Sequence, residues 1–234
     1  MEMKLNSVAA VSDRRNVSRR SSAVRDRRYR RMTPRAFTLI ELLVVIVIIA
    51  ILMGLAFPAF QAVQNQAKKT QAKNDLVQIV NAVNAFYTEY GKYPTNDTSD
   101  TTGIYGPGNK NTDAIFNELR AKSPALNTRQ IVFISPAEDP SQLKPKGKIG
   151  SDGQFYDPWG STYSLQIDAD YDNQVPNPYK VTGGAGPDPV RQGIIAWSLG
   201  KNGALGGGTA ASGFANESGT AGVYSNSSDV ISWQ

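Results

Sequence analysis

One uninterrupted apolar segment limits the folds that are open to this sequence. Residues 37–60 contain a single charged side chain, Glu41. These 24 residues span about 36 Å as a helix, and the hydrocarbon core of a bilayer is about 30 Å thick. The segment is therefore long enough to cross a membrane.

Charge is distributed unevenly on the two sides of this segment. Residues 1–36 contain ten Arg and one Lys against three acidic residues, a net charge of +8, and the whole chain carries +5, so residues 37–234 carry −3. Positive charge beside a membrane helix favours the cytoplasmic side. We predict a disordered cytoplasmic segment over residues 1–36, with the residues after 60 on the other side of the membrane.

The sequence contains no histidine and no cysteine, which excludes several classes of active site. Ser-His-Asp and Cys-His nucleophiles and the usual zinc sites all need one of these residues. The positive charge is confined to a segment without apolar periodicity, so it does not predict a nucleic-acid-binding surface. We expect a protein that is not an enzyme and does not bind nucleic acid.

Two kinds of export signal are alternatives for the N-terminal region. A cleaved secretory signal has its small-residue cleavage site after the apolar region, whereas Ala36 precedes it here. A twin-arginine signal needs an apolar stretch soon after the arginine pair, but residues 32–35 intervene. Translation from Met1 and translation from Met32 are both compatible with the sequence.

The helix is predicted to continue beyond the apolar segment. Apolar side chains recur at three- and four-residue spacing over residues 76–90, which is typical of one buried helix face. Gly91 stands where a helix-ending glycine is expected, and Pro94 follows it. We predict one helix over residues 37–90.

Pro58 and Gly54 lie inside this predicted helix. Proline removes a backbone donor and clashes with the preceding turn, at a cost of about 3 kcal/mol in a helix interior. We predict a kink at the outer face of the membrane. The alternative is a hinge, at which the helix bends when copies of the chain pack together.

The remaining residues predict a small α+β domain. Residues 111–122 are typical of a short amphipathic helix with Thr112 at its N-cap, and residues 157–160 predict a turn. The glycine-rich residues 200–222 predict a flexible loop. Strands are predicted at residues 131–134, 162–167, 194–197 and 230–233.

The predicted fold class is α+β, with a long N-terminal helix packed on a small antiparallel sheet. The chain divides into four predicted parts. They are a leader (1–36), a transmembrane and assembly half of the helix (37–60), an outer half of the helix (61–94) and a globular domain (95–234).

Residues 35–43, RAFTLIELL, resemble the processing site of type IV pilins and type II secretion pseudopilins. That site has a basic leader, a small residue, Phe, and Glu at the fifth position of an apolar helix. The family usually has Gly before the cut, where this chain has Ala36. The resemblance implies a pilin-like fold, cleavage by a prepilin peptidase between Ala36 and Phe37, and N-methylation of Phe37.

Four further segments are similar to ordered landmarks of the major pseudopilin of type II secretion. They are YGKYP (90–94), DPWGSTY (157–163), WSLGKNG (197–203) and DVISW (229–233). The resemblance implies a subunit of a secretion pseudopilus, with its N-terminus in the cytoplasm and its domain in the periplasm. Its implied partners are copies of itself, an inner-membrane secretion platform and minor pseudopilins. A type IV pilin and a membrane-anchored domain that never polymerises remain alternatives.

Glu41 is the predicted assembly residue, together with Pro58. A charged side chain within a membrane segment generally has a partner. Cleavage before Phe37 creates an α-amine, and in a filament this amine pairs with Glu41 of the neighbouring copy, as the resemblance also implies.

The resemblance further implies a calcium site in the C-terminal loop. The corresponding positions are the Leu199 carbonyl, Asn202 where the family has aspartate, and Asp229. Asp168, Asp170 and Asp172 form another acidic group, which lacks the glycine and the glutamate of an EF-hand. We interpret that group as a solvated strand end.

Overall fold

The computed structural model describes residues 37–207, 222–225 and 227–234, without the side chains of Leu55 and Pro58. The described residues divide into two units, with the boundary between Ala50 and Ile51. The predicted leader (1–36) lies outside the described residues. So do residues 208–221 and 226, which contain most of the predicted glycine-rich loop.

The first element is the helix α1, Leu39–Tyr90, which begins two residues later than predicted. Its C-terminal end is confirmed. Gly91 has a φ of 66°, in the left-handed region, and its N–H donates to the Tyr87 carbonyl at 2.8 Å. Glycine occupies this conformation without strain and so ends the helix at the predicted residue.

Four short strands form one antiparallel sheet in the order β1-β2-β3-β4. A seven-residue helix and a 3₁₀ turn complete the regular structure of the described residues. The elements are β1 (Ile104–Tyr105), α2 (Asp113–Leu119), β2 (Ser164–Ile167), the 3₁₀ turn (Val181–Gly183), β3 (Ile194–Ser198) and β4 (Val230–Ile231). The three later strands and the short helix are confirmed. β2, β4 and α2 are shorter than predicted, and β3 extends one residue further, to Ser198. The α+β fold class is likewise confirmed.

The strand predicted at residues 131–134 is wrong. The N–H groups of Phe133 and Ile134 both donate to the carbonyl of Leu119, at 2.8 and 3.2 Å. Leu119 is the last residue of α2, whose final carbonyls have no partner within the helix. The segment donates hydrogen bonds to a carbonyl at the end of α2 and does not join the sheet.

Thr112 stands at the N-cap of α2 as predicted, but its side chain does not cap the helix. Its φ and ψ of −82° and −10° are helical, whereas a capping side chain needs an extended backbone at this position. Its hydroxyl is buried and has no hydrogen-bond partner among the described residues.

The two faces of the sheet carry different clusters. Leu165 and Ile167 of β2 join Leu76, Val83 and Phe86 of α1 in the main core, and all five are fully buried. Successive side chains of a strand point to opposite faces. Thus Ile195 and Trp197 of β3 lie in a second cluster, on the face opposite to α1.

A buried carboxylate builds the predicted turn at residues 157–160. Asp157 is fully buried, and its Oδ1 accepts hydrogen bonds from the N–H groups of Trp159, Gly160 and Ser161 at 2.7–2.9 Å. Its Oδ2 accepts one from the hydroxyl of Ser198, at the end of β3, at 2.6 Å. One side chain therefore forms the turn and joins it to the sheet.

Polar contacts also fasten the C-terminal part of α1 to the rest of the second unit. The Tyr163 hydroxyl donates to Asp75 Oδ2 at 2.7 Å. Lys73 Nζ donates to the carbonyl oxygens of Ile231 and Gln234, the former at 2.8 Å. Burial raises the pKa of the Asp75 carboxyl. The hydrogen bond from Tyr163 lowers this pKa but only partly offsets the effect of burial.

Replacing Asp75 with asparagine gives a pH-dependent gain in stability. A pKa raised in the folded state means that ionisation destabilises the fold once the pH exceeds the ordinary value of 3.8. Asparagine cannot ionise, and its amide oxygen still accepts the Tyr163 hydroxyl. We expect Asp75→Asn in residues 61–234 to unfold at higher urea than the parent at about pH 7, with no difference at about pH 3.

Tyr163→Phe is the matched control, because it removes the donor and leaves the carboxylate buried. It should destabilise the parent more than it destabilises the Asp75→Asn variant. An Asp75→Asn variant that is less stable than the parent at neutral pH contradicts this account.

Candidate functional site

The candidate site is the N-terminal part of α1, where the apolar side chains face outward. Every described side chain over residues 37–60 is exposed. The exposed fractions of its large apolar side chains run from 45% at Val45 to 82% at Leu39. Each Å² of apolar surface left in water costs about 25 cal/mol. This surface therefore suits lipid or other protein chains.

By length and composition, α1 contains a stretch that is able to cross a membrane. Within the part of the chain that the structure describes, no part of that stretch is buried. A core helix of a water-soluble protein passes the same length test but is mostly buried. The exposure of this stretch therefore favours an anchoring role.

Thr38 and Glu41 form a capping box at the start of α1. The backbone N–H and the hydroxyl of Thr38 both donate to Glu41 Oε2, at 2.8 and 2.7 Å. The N–H of Glu41 donates in return to the Thr38 hydroxyl oxygen at 3.3 Å. Two N–H groups that have no partner within the helix are thereby satisfied.

The capping box explains how a carboxylate is accommodated in an apolar segment. The N-terminus of a helix carries a partial positive charge, and Glu41 lies in the first turn. Both bonds from Thr38 go to Oε2. A carboxylate has about four acceptor sites on two oxygens, so capacity remains for a cationic partner.

The sequence analysis missed the role of Thr38. The motif Ser/Thr-x-x-Glu directly before an apolar run predicts a capping box, and Thr38-Leu39-Ile40-Glu41 fits it. The sequence points to Glu41 through its charge and through its position in the prepilin-type motif. The structure shows that it also has a local role within its own chain.

The other residues predicted for processing and assembly are only partly described. Phe37 precedes α1 and is 77% exposed, so the expected new N-terminus is accessible. Ala36, on the other side of the predicted cut, lies outside the described residues. The α1 backbone is helical through Gly54 and Pro58. The kink or hinge there stays a prediction.

Residues 31–57 match the family model of the prokaryotic N-terminal methylation motif. This is the prepilin-type signal. The match includes the predicted cleavage site, the capping box and the apolar start of α1. It indicates a precursor of the type IV pilin or pseudopilin kind, which a prepilin peptidase processes. No curated protein and no solved structure matches the chain.

The structure brings two of the three predicted calcium ligands together around Gly206. The side chain of Asn202 donates to the Gly206 carbonyl at 2.9 Å, and the Gly206 N–H donates to Asp229 Oδ2 at 2.7 Å. Leu199 is buried nearby, in the cluster opposite to α1. These contacts fasten the loop after β3 to the start of β4.

The described contacts of the Asn202 and Asp229 side chains are hydrogen bonds within the chain itself. Asp229 Oδ2 also accepts from the Tyr179 hydroxyl at 2.7 Å, and Asn202 Oδ1 accepts from the Ala204 N–H at 3.1 Å. Burial and the Asp229 carboxylate raise the pKa of Tyr179, so its hydroxyl stays a donor. Calcium prefers six to eight oxygen ligands. The predicted ligands Leu199, Asn202 and Asp229 therefore do not fit calcium unless the hydrogen bonds of the Asn202 and Asp229 side chains break.

A larger acidic cluster lies elsewhere, at Asp100, Asp168, Asp170 and Asp172. One carboxylate oxygen from each of them lies within 4.8 Å of the others. Asp168 is buried, which corrects its interpretation as a solvated strand end, and its oxygens accept the N–H groups of Asp172 and Asn173 at 3.1 and 2.8 Å. Burial raises the pKa of the Asp168 carboxyl. These hydrogen bonds stabilise the loop after β2.

The calcium hypothesis predicts a rise in the melting temperature of residues 61–234 when calcium is added, and loss of that rise in Asp229→Ala. Equal melting temperatures in calcium and in chelator eliminate the hypothesis. In both conditions we expect Asp229→Ala to lower stability by about 2 kcal/mol, because the Tyr179 hydroxyl and the Gly206 N–H lose their acceptor. Thermal unfolding followed by circular dichroism measures both effects.

Proposed function

We propose that the chain is a structural subunit of a type II secretion pseudopilus. The observation that carries this proposal is the methylation motif at residues 31–57, joined to an apolar helix whose side chains are exposed. After cleavage between Ala36 and Phe37 and methylation of Phe37, copies of the chain pack through α1 into a fibre. The fibre acts mechanically in protein export and has no catalytic role.

The four segments similar to the major pseudopilin support secretion over a surface fibre. Two of them meet through the hydrogen bond between Asp157 and Ser198. These two segments lie in the folded domain, and all four lie outside the methylation motif. The same assembly helix also serves type IV pilins, which are the second candidate.

In the proposed fibre, Glu41 forms an ion pair with the α-amine of Phe37 in a neighbouring copy. The amine exists only after cleavage, so processing and assembly are coupled. Water is largely excluded at this depth, which strengthens the attraction between the two charges. Pro58 provides the position at which the helix adapts to its neighbours.

The remaining partners follow from this role. The prepilin peptidase processes the precursor at the inner membrane. A secretion platform in that membrane and minor pseudopilins act with the fibre. The N-terminus of the precursor lies in the cytoplasm, and the α+β domain lies in the periplasm.

Mass spectrometry of the protein from its native membrane tests the processing step. We expect a polypeptide that begins at Phe37 and carries one additional methyl group on its α-amine. Ala36→Gly should be processed as completely as the parent, whereas Ala36→Trp should keep the leader because the site needs a small residue. A native chain that retains residues 1–36, or that begins at another residue, rules out the proposal.

Variants of Glu41 and Thr38 separate charge pairing from helix capping. Glutamine also completes a capping box, so Glu41→Gln keeps the cap and removes the charge. Thr38→Ala removes the cap, at about 1 kcal/mol, and keeps the charge. We expect Glu41→Gln and Glu41→Ala to abolish assembly, and Thr38→Ala to reduce it only modestly.

Two measurements on these variants distinguish the candidate functions. Loss of exoproteins from the medium in Glu41→Gln supports the pseudopilus, and loss of sheared surface fibres with normal secretion supports a type IV pilin. Unchanged secretion and unchanged fibres support a membrane-anchored domain that does not polymerise. Immunoblots of membrane fractions confirm that each variant is inserted and processed.

A further inference from the structure

A cavity of about 510 Å³ lies on the face of the sheet opposite to α1. Its floor includes Gln166 of β2 and Trp197 of β3, both of which point away from the main core. Its walls include Pro176, Pro178 and Leu205. Cavities of roughly 300–1,000 Å³ with mostly apolar walls and a few polar groups are typical of small-ligand sites.

The lining of this cavity carries no charge among the described residues. A charged ligand would lose its hydration there without gaining an opposite charge, which is unfavourable. Apolar side chains and proline rings supply most of the surface. The cavity therefore selects neutral ligands with a substantial apolar part.

Gln166 is an unsatisfied polar group at this site. The residue is only 2% exposed, and its Nε2 is buried with no hydrogen-bond partner among the described residues. Buried side-chain amides normally have partners. Gln166 lines the cavity, and rotation about the terminal torsion of glutamine is easy, so this amide is able to reorient toward a ligand.

We propose that the cavity binds a neutral, mostly apolar ligand that carries an amide carbonyl, and that Gln166 donates a hydrogen bond to this carbonyl. The apolar part of the ligand packs against Trp197 and the prolines. An amide ligand suits either orientation of the glutamine amide, because it offers both a donor and an acceptor. This site is separate from the assembly helix and does not depend on the proposed function.

Fluorine NMR of the full chain in lipid nanodiscs, with 5-fluorotryptophan in place of tryptophan, tests this site. The sequence has three tryptophans, so single Trp→Phe variants assign the three signals. Trp197 lines the cavity, and Trp159 packs in the main core and is the internal control. We expect N-acetyl-L-leucinamide to shift the Trp197 signal and leave that of Trp159 in place.

Three probes define the ligand chemistry. N-acetyl-L-leucinamide represents a peptide, and acetanilide represents a small amide that is not a peptide. Binding of either supports the proposal, and the preferred probe indicates which of the two classes the ligand belongs to. We expect dissociation constants in the millimolar range, on the order of what ligands of about a dozen non-hydrogen atoms reach. N-acetyl-L-leucine, which carries a carboxylate, should bind at least about tenfold more weakly.

Variants test the role of each part of the cavity. Gln166→Met should weaken amide binding about fivefold, the equivalent of one neutral hydrogen bond, and Gln192→Met, at an exposed position, should not change it. Ala204→Phe fills the cavity from its wall and should abolish binding. This second variant keeps the test valid if Gln166→Met does not fold. A Trp197 signal that neither amide moves overturns the proposal, as does unchanged binding in Ala204→Phe.

Discussion

The hydrogen bonds between Thr38 and Glu41 place a carboxylate at the head of an apolar helix without leaving it unsatisfied. The start of α1 depends on this arrangement. The cap starts α1 at the point where the prepilin-type signal expects its cut, and it uses the positive end of the helix to hold a negative charge. The charge is thus held by hydrogen bonds within its own chain.

The same helix has two different environments along its length. Over residues 37–60 its side chains are exposed, whereas Leu76, Val83 and Phe86 are fully buried against the sheet. The spacing of apolar residues explains the difference. An apolar surface on every side suits lipid and other helices, and an apolar stripe suits one packed face. One element can therefore anchor the chain and organise the folded domain.

Local patterns predicted the long helix, its end at Tyr90 and three of the four strands. They failed where contacts distant in sequence decide the structure. Residues 131–134 are β-branched and aromatic, yet the N–H groups of Phe133 and Ile134 bond to the end of α2. The two-residue strand β1 is too short for an alternating pattern, and it forms because Ile104 and Tyr105 pair with β2. Thr112 lies at the predicted cap, but its backbone conformation prevents capping.

The sequence by itself determined the membrane-compatible segment, the position of Glu41 within it and the processing motif, because each depends on residues that are close together in the chain. Only the tertiary structure decided how Asp157 joins a turn to β3, how Asn202 and Asp229 meet at Gly206, and where the apolar cavity lies. These features join residues that are far apart in sequence. The spacing of these residues along the chain does not show that they are close in space, because it is the folded sheet that brings them together.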